Sequence, residues 1–178
     1  MKSLLLKIVF LIFIVFNANN SYAEDKNISV YSLITNMPLV SPLEKVHLTS
    51  DYGLRTHPIT GSVKHHDGID MRAKVGTPIY APGSGVVSFV GENGNYGNII
   101  KIYHGNNVET LYAHLSKYEV KVNDIVKRGQ LIGYTGNTGR TNGPHLHYEI
   151  MYKKHKVDPL SFIEKTAIYI KSVIIAKK

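Results

Sequence analysis

The sequence has no cysteine and no tryptophan among its 178 residues. The absence of cysteine excludes a disulfide framework, a thiolate zinc site, a thiol nucleophile and a lipid-modified N-terminal cysteine. The sequence also lacks any apolar run of about 20 residues, the length that a bilayer-spanning helix requires. A metal ion bound by this chain would therefore rest on histidine and carboxylate ligands.

The remaining composition is typical of a globular chain, with 43% apolar and 19% charged residues. The length suits one domain with short appendages. All 15 glycines fall between Gly53 and Gly143, which predicts a turn-rich central domain. The formal charge of +8 favours anionic partners such as cell-wall polymer, lipid headgroups or acidic peptides, and its alternative role is solubility alone.

The N-terminus has the pattern of an export signal. Lys2 precedes the apolar run from Ile8 to Phe16, and Ala23 provides a small residue at the cleavage position. We expect residues 1–23 to be a cleaved signal peptide, with an uncleaved anchor as the alternative. Cleavage would lower the formal charge to +6, and nucleic acid is not an expected partner of an exported chain.

Short apolar stretches alternate with turns rich in Gly, Asn and Pro from residue 49 to residue 152. Each stretch has four to eight residues and is rich in Val, Ile and Tyr, which is typical of β-strands. The stretches lie at 78–82, 85–90, 98–104, 109–114, 130–135 and 145–152. The sequence therefore predicts a mostly β fold, a small antiparallel β-sheet or β-sandwich domain.

Two flanking segments differ from this domain. Residues 24–45 are polar, contain Pro38 and Pro42, and predict an extended lead-in to a domain at 46–163. Residues 164–178 form a basic tail whose sequence fits a helix or a strand. We expect the tail to pack on the domain, with peripheral membrane contact as the alternative.

Several of the nine histidines occur in a pattern suited to metal binding. His66 and Asp70 are four residues apart around Gly68, which permits close backbone approach. His145 and His147 share one face of a predicted strand. Tyr112-Ala113-His114 places one further imidazole at the end of another apolar strand.

Two histidines and one aspartate from these segments would suit a catalytic zinc with an open position for water. The remaining histidines would then be available for proton transfer and for stabilising an oxyanion. The alternative is that the His-x-His pair is simply hydrogen-bonded on a half-buried strand. The His-Glu-x-x-His motif of other zinc proteases is absent from the sequence.

Ordered blocks of the sequence resemble the LytM/lysostaphin-type zinc endopeptidases, a family of cell-wall peptidases. The resemblance runs from about Met37 to Phe162. The blocks lie at 49–61, 66–70, 76–87, 112–116, 126–133 and 135–149. The resemblance implies the family's small antiparallel β-domain and one zinc ion per chain.

The resemblance also implies roles for individual residues. His66, Asp70 and His147 match the zinc ligands of the family, and His114 and His145 match its two catalytic histidines. Because all five positions are filled, the chain resembles the active members of the family. The alternative is a catalytically silent module that binds the cell wall or activates an amidase.

Weaker candidates lie beside these positions. Arg55 is a candidate for binding a substrate carboxylate or for a structural salt bridge. Asn142 is a candidate substrate contact or turn residue. Glu149 is a candidate for orienting a ligand histidine or for pairing across strands.

The resemblance implies peptidoglycan cross-links as substrate, most closely the D-alanyl to diaminopimelate bridge of Gram-negative envelopes, with a pentaglycine bridge as the alternative. We therefore expect a periplasmic enzyme that acts as a monomer. A further hypothesis is latency, in which Asn27 or Asn36 of the lead-in takes the open zinc position.

Overall fold

A computed structural model describes residues 26–56 and 61–176 of the chain. The signal segment expected at 1–23 lies outside the described residues. The described residues contain a first helix α1 (Lys26–Asn36), a last helix α2 (Pro159–Ile175) and a 3₁₀ turn at Gly94–Tyr96. The strands are β1 (Leu48–Ser50), β2 (Gly53–Thr56), β3 (Val63–His66), β4 (Ile69–Arg72), β5 (Pro78–Tyr80), β6 (Gly85–Glu92), β7 (Asn98–Gly105), β8 (Val108–Ala113), β9 (Leu115–Tyr118), β10 (Ile125–Val126), β11 (Leu131–Thr135), β12 (His145–Tyr152) and β13 (His155–Val157).

The strands form antiparallel sheets, which confirms the predicted mostly β fold. The main sheet has the strand order β1-β4-β12-β8-β7-β6-β10, with β13 also paired to β12. A second sheet has the order β5-β11-β9, and β2 and β3 form a separate hairpin. The strand pairings of the described residues are antiparallel, as expected for short strands joined by tight turns.

Strand β12 separates the core from a polar face. Its side chains at Leu146, Tyr148 and Ile150 are buried in the main hydrophobic cluster. Because side chains alternate along a strand, His145, His147 and Glu149 point to the opposite face. β4 and β8 flank this strand, β4 along residues 145–148 and β8 along residues 147–152, so both reach His147.

The lead-in differs from the extended segment that the sequence predicts. Residues 26–36 form α1, not an extended segment. Leu33 and Ile34 of this helix pack against the core. The helix ends before Met37 because the residue that precedes Pro38 is disfavoured in the helical conformation.

The lead-in is also part of the domain and not an appendage to it. Met37, Leu39 and Leu43 are buried in the same cluster as the residues of the sheets. The Arg128 guanidinium donates to the carbonyl of Met37 at 3.0 Å and to the carbonyl of Ile34. The boundary expected at residue 45/46 therefore does not divide the core.

The basic tail is helical. Asp158 caps α2 by accepting a hydrogen bond from the Leu160 amide at 3.1 Å, and proline occupies the first turn. Ile170 of the tail is buried, as is Ile163 just before it, so the tail packs on the domain as expected. In the described part of the chain, neither helix has the length and apolar character needed to span a membrane.

Candidate metal centre

Adjacent strands place an aspartate and a histidine side by side. Asp70 of β4 is the register partner of His147 of β12, so both side chains lie on one face of the sheet. His66 ends β3, and Gly68 lies between it and β4. A Cβ atom at Gly68 would lie 2.3 Å from the carbonyl oxygen of Tyr148, which explains why glycine is needed there.

The three side chains meet at one point. Asp70 Oδ1 lies 2.9 Å from His147 Nδ1 and 3.2 Å from His66 Nε2. The two imidazole nitrogens lie 3.1 Å from each other. Ligand atoms of a tetrahedral zinc are about 3.3 Å apart, given zinc–ligand distances of about 2.0–2.1 Å. The donor set and its spacing therefore fit one zinc ion with a small expansion.

The far sides of both imidazoles are fixed. His66 Nδ1 lies 2.7 Å from the Asp51 carbonyl oxygen, to which it donates. His147 Nε2 lies 3.0 Å from Glu149 Oε1, to which it donates. In these tautomers His66 Nε2 and His147 Nδ1 keep lone pairs that point at the cluster, as metal ligands require.

The charges around the cluster favour a cation. Burial raises the pKa of Asp70, but the close approach of the His147 and His66 imidazoles outweighs it and holds this pKa far below the usual range. The pKa of Glu149 is also lowered, because its hydrogen bond from His147 outweighs its burial. Two ionised carboxylates thus lie at a largely buried site, where a dication would be stabilised.

Two further histidines lie beside the three-residue cluster. The rings of His114 and His145 have centroids 4.7 Å apart, and the ring centroid of His114 is 5.9 Å from that of His147. His145 Nε2 lies 3.6 Å from Asp70 Oδ1. The structure therefore brings together all five histidine and aspartate residues that the sequence singled out.

The outer nitrogens of this pair are also anchored. His114 Nδ1 donates to the Thr138 carbonyl at 2.8 Å, and His145 Nδ1 donates to the Gly143 carbonyl at 2.8 Å. Each Nε2 is then left with a lone pair. Burial lowers the pKa of His114 to about 4, so its imidazole is neutral at pH 7.

The three weaker candidates have different positions. Arg55 Nη2 lies 3.5 Å from Asp70 Oδ2, so this guanidinium borders the cluster. Asn142 is exposed in the loop before β12. Glu149 holds His147, which is the orienting position considered for it in the sequence analysis.

Sequence reasoning missed two residues of this site. Tyr96 donates to Glu149 Oε1 at 2.7 Å, and Lys156 Nζ lies 2.8 Å from the Tyr96 hydroxyl. Burial, with the Glu149 charge nearby, raises the pKa of Tyr96 to about 12. The sequence offered only a turn cluster around Tyr96 and a run of lysines around Lys156.

A His₂Asp cluster on a small antiparallel sheet, with two more histidines at its edge, has the form of a metallopeptidase centre. The comparisons support this class. The model of peptidase family M23 matches residues 64–159, more than half of the chain. The chain belongs to peptidase family M23, which confirms the expected metallopeptidase class.

Curated relatives agree with this family. The chain is 45% identical over 122 residues to the DD-carboxypeptidase/endopeptidase Mpg of Neisseria meningitidis, covering 68% of this chain and 28% of that protein. It is 46% identical over 106 residues to the peptidoglycan DD-endopeptidase ShyA of Vibrio cholerae, covering 60% of this chain and 25% of that protein. The chain thus spans only about a quarter of the length of these relatives.

Solved structures share the fold. A zinc-containing peptidase from Vibrio cholerae superposes with a TM-score of 0.63 at 40% identity, covering 66% of this chain and 37% of that one. The catalytic domain of the antimicrobial peptidase lysostaphin from Staphylococcus simulans superposes with a TM-score of 0.61 at 35% identity. That comparison covers 67% of this chain and 92% of the lysostaphin domain.

Proposed function

We propose that this chain is a zinc-dependent endopeptidase that hydrolyses the peptide cross-links of peptidoglycan. The observation that carries the proposal is the convergence of His66, Asp70 and His147 next to His114 and His145. His66, Asp70 and His147 would hold the zinc ion. A zinc ion there would polarise the scissile carbonyl and lower the pKa of a bound water toward about 7.

His114 and His145 would move the protons of the reaction. Hydrolysis adds water to the amide carbon and breaks the C–N bond, and one proton passes from the water to the leaving amine. An imidazole with a free Nε2 accepts that proton and then donates it. The second imidazole, when protonated, donates a hydrogen bond to the oxyanion. No covalent intermediate is needed.

The proposed bond is the D-alanyl to diaminopimelate cross-link. The named relatives Mpg and ShyA are DD-endopeptidases, which supports this choice over a pentaglycine bridge. Diaminopimelate carries a free carboxylate beside the scissile amide. Arg55 borders the cluster, and its register partner Lys64 lies on the same face of the β2–β3 hairpin. We assign substrate binding to Arg55, and Asn142 remains a weaker candidate for it.

The proposed place of action is the periplasm, with the chain as a monomer. The signal pattern at residues 1–23 and the location of peptidoglycan outside the cytoplasm support this. Contact of α2 with a membrane surface stays a prediction. Ile168, Tyr169 and Ile175 are exposed on α2, and Lys165 and Lys171 lie on the same helix.

The test is digestion of purified Gram-negative sacculi by the full chain, with mass spectrometry of the released muropeptides. We expect zinc-dependent conversion of cross-linked dimers to monomers, and inhibition by a chelator. Absence of cleavage with zinc supplied would favour the silent wall-binding or amidase-activating module. Cleavage at another bond would support the proposed peptidase activity but contradict the proposed D-alanyl to diaminopimelate bond.

A further inference from the structure

The buried carboxylate of Glu149 concentrates its hydrogen bonds on one oxygen. Oε1 accepts from His147 Nε2 at 3.0 Å, from the Tyr96 hydroxyl at 2.7 Å and from Lys156 Nζ at 3.2 Å. Oε2 is buried with no hydrogen-bond partner among the described residues. The orientation of this carboxylate, and hence of the His147 ring, depends on three donors at a single atom.

Lys156 fixes the direction of the Tyr96 hydroxyl. Lys156 Nζ is a hydrogen-bond donor only and lies 2.8 Å from the Tyr96 hydroxyl oxygen. The hydroxyl must therefore accept this hydrogen bond. Its own proton is then free to point at Glu149. Lys156 is itself held by Asp67 Oδ2 at 2.7 Å.

Tyr96 also contacts the catalytic side of the site. Its backbone carbonyl accepts from the His114 amide at 3.0 Å. Its ring centroid lies 5.6 Å from that of His147. One residue thus contacts a proposed metal ligand and its carboxylate through its side chain, and a proposed catalytic histidine through its backbone.

The loop that carries Tyr96 is locked against the loop that holds the His114 ring. A Cβ atom at Gly139 would lie 2.3 Å from the Gly97 nitrogen, so the two backbones touch. The Arg140 amide donates to the Asn95 carbonyl at 2.8 Å. In the second loop, the Thr138 carbonyl accepts from the His114 ring.

We propose that Tyr96 is a positioning residue with two separable actions. Its hydroxyl binds Glu149 and thereby positions the His147 ring for metal binding. Its backbone carbonyl, in a loop that packs against the Thr138 loop, positions His114 for proton transfer. The inference rests on the proposed metal site. It goes beyond that site by giving a role to a residue other than His66, Asp70, His114, His145 and His147.

The first test removes the hydroxyl alone. Tyr96→Phe keeps the ring and the backbone carbonyl. We expect its zinc affinity, measured by competition with a chromophoric chelator, to fall about 10- to 100-fold, as for other partners of metal ligands. At saturating zinc its kcat should return to within about twofold of the parent. Tyr103→Phe, at an exposed tyrosine of β7, is the matched control and should bind zinc like the parent.

The second test disturbs the backbone contact. Gly139→Ala should have the opposite effect to Tyr96→Phe: zinc affinity should stay near that of the parent, and kcat at saturating zinc should fall about 100-fold. A loss of this size is expected when a reacting group is slightly misplaced. Gly76→Ala is the matched control. Both glycines have positive φ, 72° and 84°, but a Cβ atom at Gly76 meets nothing within 4 Å.

A double-mutant cycle separates positioning from general destabilisation. If Tyr96 acts through Glu149, adding Tyr96→Phe to Glu149→Gln should lower zinc affinity by much less than it does alone. Full additivity in this cycle would contradict the assignment. Tyr96→Phe with zinc affinity within twofold of the parent would overturn the inference and leave the metal site intact. A parent chain that binds no zinc would overturn both.

Discussion

His114 has a backbone conformation that non-glycine residues rarely adopt. Its φ is +62°, and it is the single residue between β8 and β9, where the chain passes from one sheet to another. Its amide donates to Tyr96 and its ring donates to Thr138, which fixes this conformation from both sides. Strain of this kind is typical of functional sites and is maintained by the surrounding contacts.

The first prediction concerns the two histidines outside the metal ligand set. His114→Ala and His145→Ala should each lower the rate of peptidoglycan hydrolysis by about 10²- to 10⁴-fold, the range of general acid–base catalysis. Both variants should still bind zinc, because neither residue is a proposed ligand. Dye release from labelled sacculi and zinc content of the purified variants measure the two effects.

His155→Ala is the control for this prediction, since His155 is exposed on β13. It should hydrolyse sacculi like the parent. A His114→Ala variant with parental activity would show that this histidine has no part in proton transfer.

Local signals in the sequence indicated a histidine and aspartate site, and the resemblance to the LytM/lysostaphin family implied its five residues. His145 and His147 share a strand face by simple alternation, and Gly68 marks the close approach that brings His66 and Asp70 to that strand. Lys156 and Tyr96 have no such signal. They are 60 residues apart, and only the folded sheet brings them into contact.

Helix α1 is an element that the sequence does not predict. Pro38 and Pro42, which follow this helix, favour extended chain in the sequence, whereas in the structure they lie beyond its end. The helix is held by contacts from distant residues, since the Ser84 amide donates to the Thr35 carbonyl at 2.9 Å and Arg128 binds the Met37 carbonyl. Partners of this kind carry no local signal.

The second prediction concerns this lead-in. Removal of residues 24–44 should lower the free energy of unfolding, because Met37, Leu39 and Leu43 lose their buried positions, at about 2 kcal/mol for each side chain. Chemical denaturation of chains 24–178 and 45–178 measures the change. Latency through the lead-in predicts the contrary result, a shortened chain of equal stability and higher activity.

A point substitution gives the same comparison without truncation. Leu39→Ala should destabilise the fold by about 2–5 kcal/mol, whereas Val46→Ala, at a half-exposed position, should change stability by less than about 0.5 kcal/mol. Equal denaturation midpoints for the two variants would show that the lead-in is not part of the core.

Among the described residues, one buried histidine, His104, lies outside the metal site. His104 Nδ1 lies 2.9 Å from the Ser84 carbonyl, and Nε2 lies 2.8 Å from Thr110 Oγ1. Burial, with the Arg128 charge adding to it, lowers the pKa of His104 from 6.5 to about 4. Protonation of this ring is therefore opposed by the folded state.

The third prediction follows from that pKa. Between about pH 6.5 and pH 4 the unfolded chain binds a proton at His104 that the folded chain does not, so stability rises with pH across this interval. We expect a loss of up to about 3 kcal/mol on acidification. Urea denaturation at a series of pH values measures the slope.

His104→Gln is the comparison for this slope, since it keeps polar atoms but does not titrate. It should be less stable at pH 7 and lose less stability on acidification. Equal slopes in the variant and the parent would assign the acid sensitivity to other groups.

At the scale of the fold, strand content followed from short apolar stretches and turn residues. The order of the strands did not, because β4, β12 and β8 are neighbours through pairings far apart in sequence. The sequence of the tail does not decide between helix and strand, since its β-branched residues fit both. Its cap at Asp158 and the burial of Ile163 and Ile170 select the helix.

The long separation of the proposed ligands has a consequence in time. His66 and His147 lie 81 residues apart, and both are needed to complete the cluster. At a synthesis rate of about 5–20 residues per second, roughly 4 to 16 seconds pass between the two residues. A partly made chain holds His66 and Asp70 but not the strand that brings His147 to them. With the proposed ligand set, the growing polypeptide would therefore have no complete metal site until the strand that carries His147 has been made and folded.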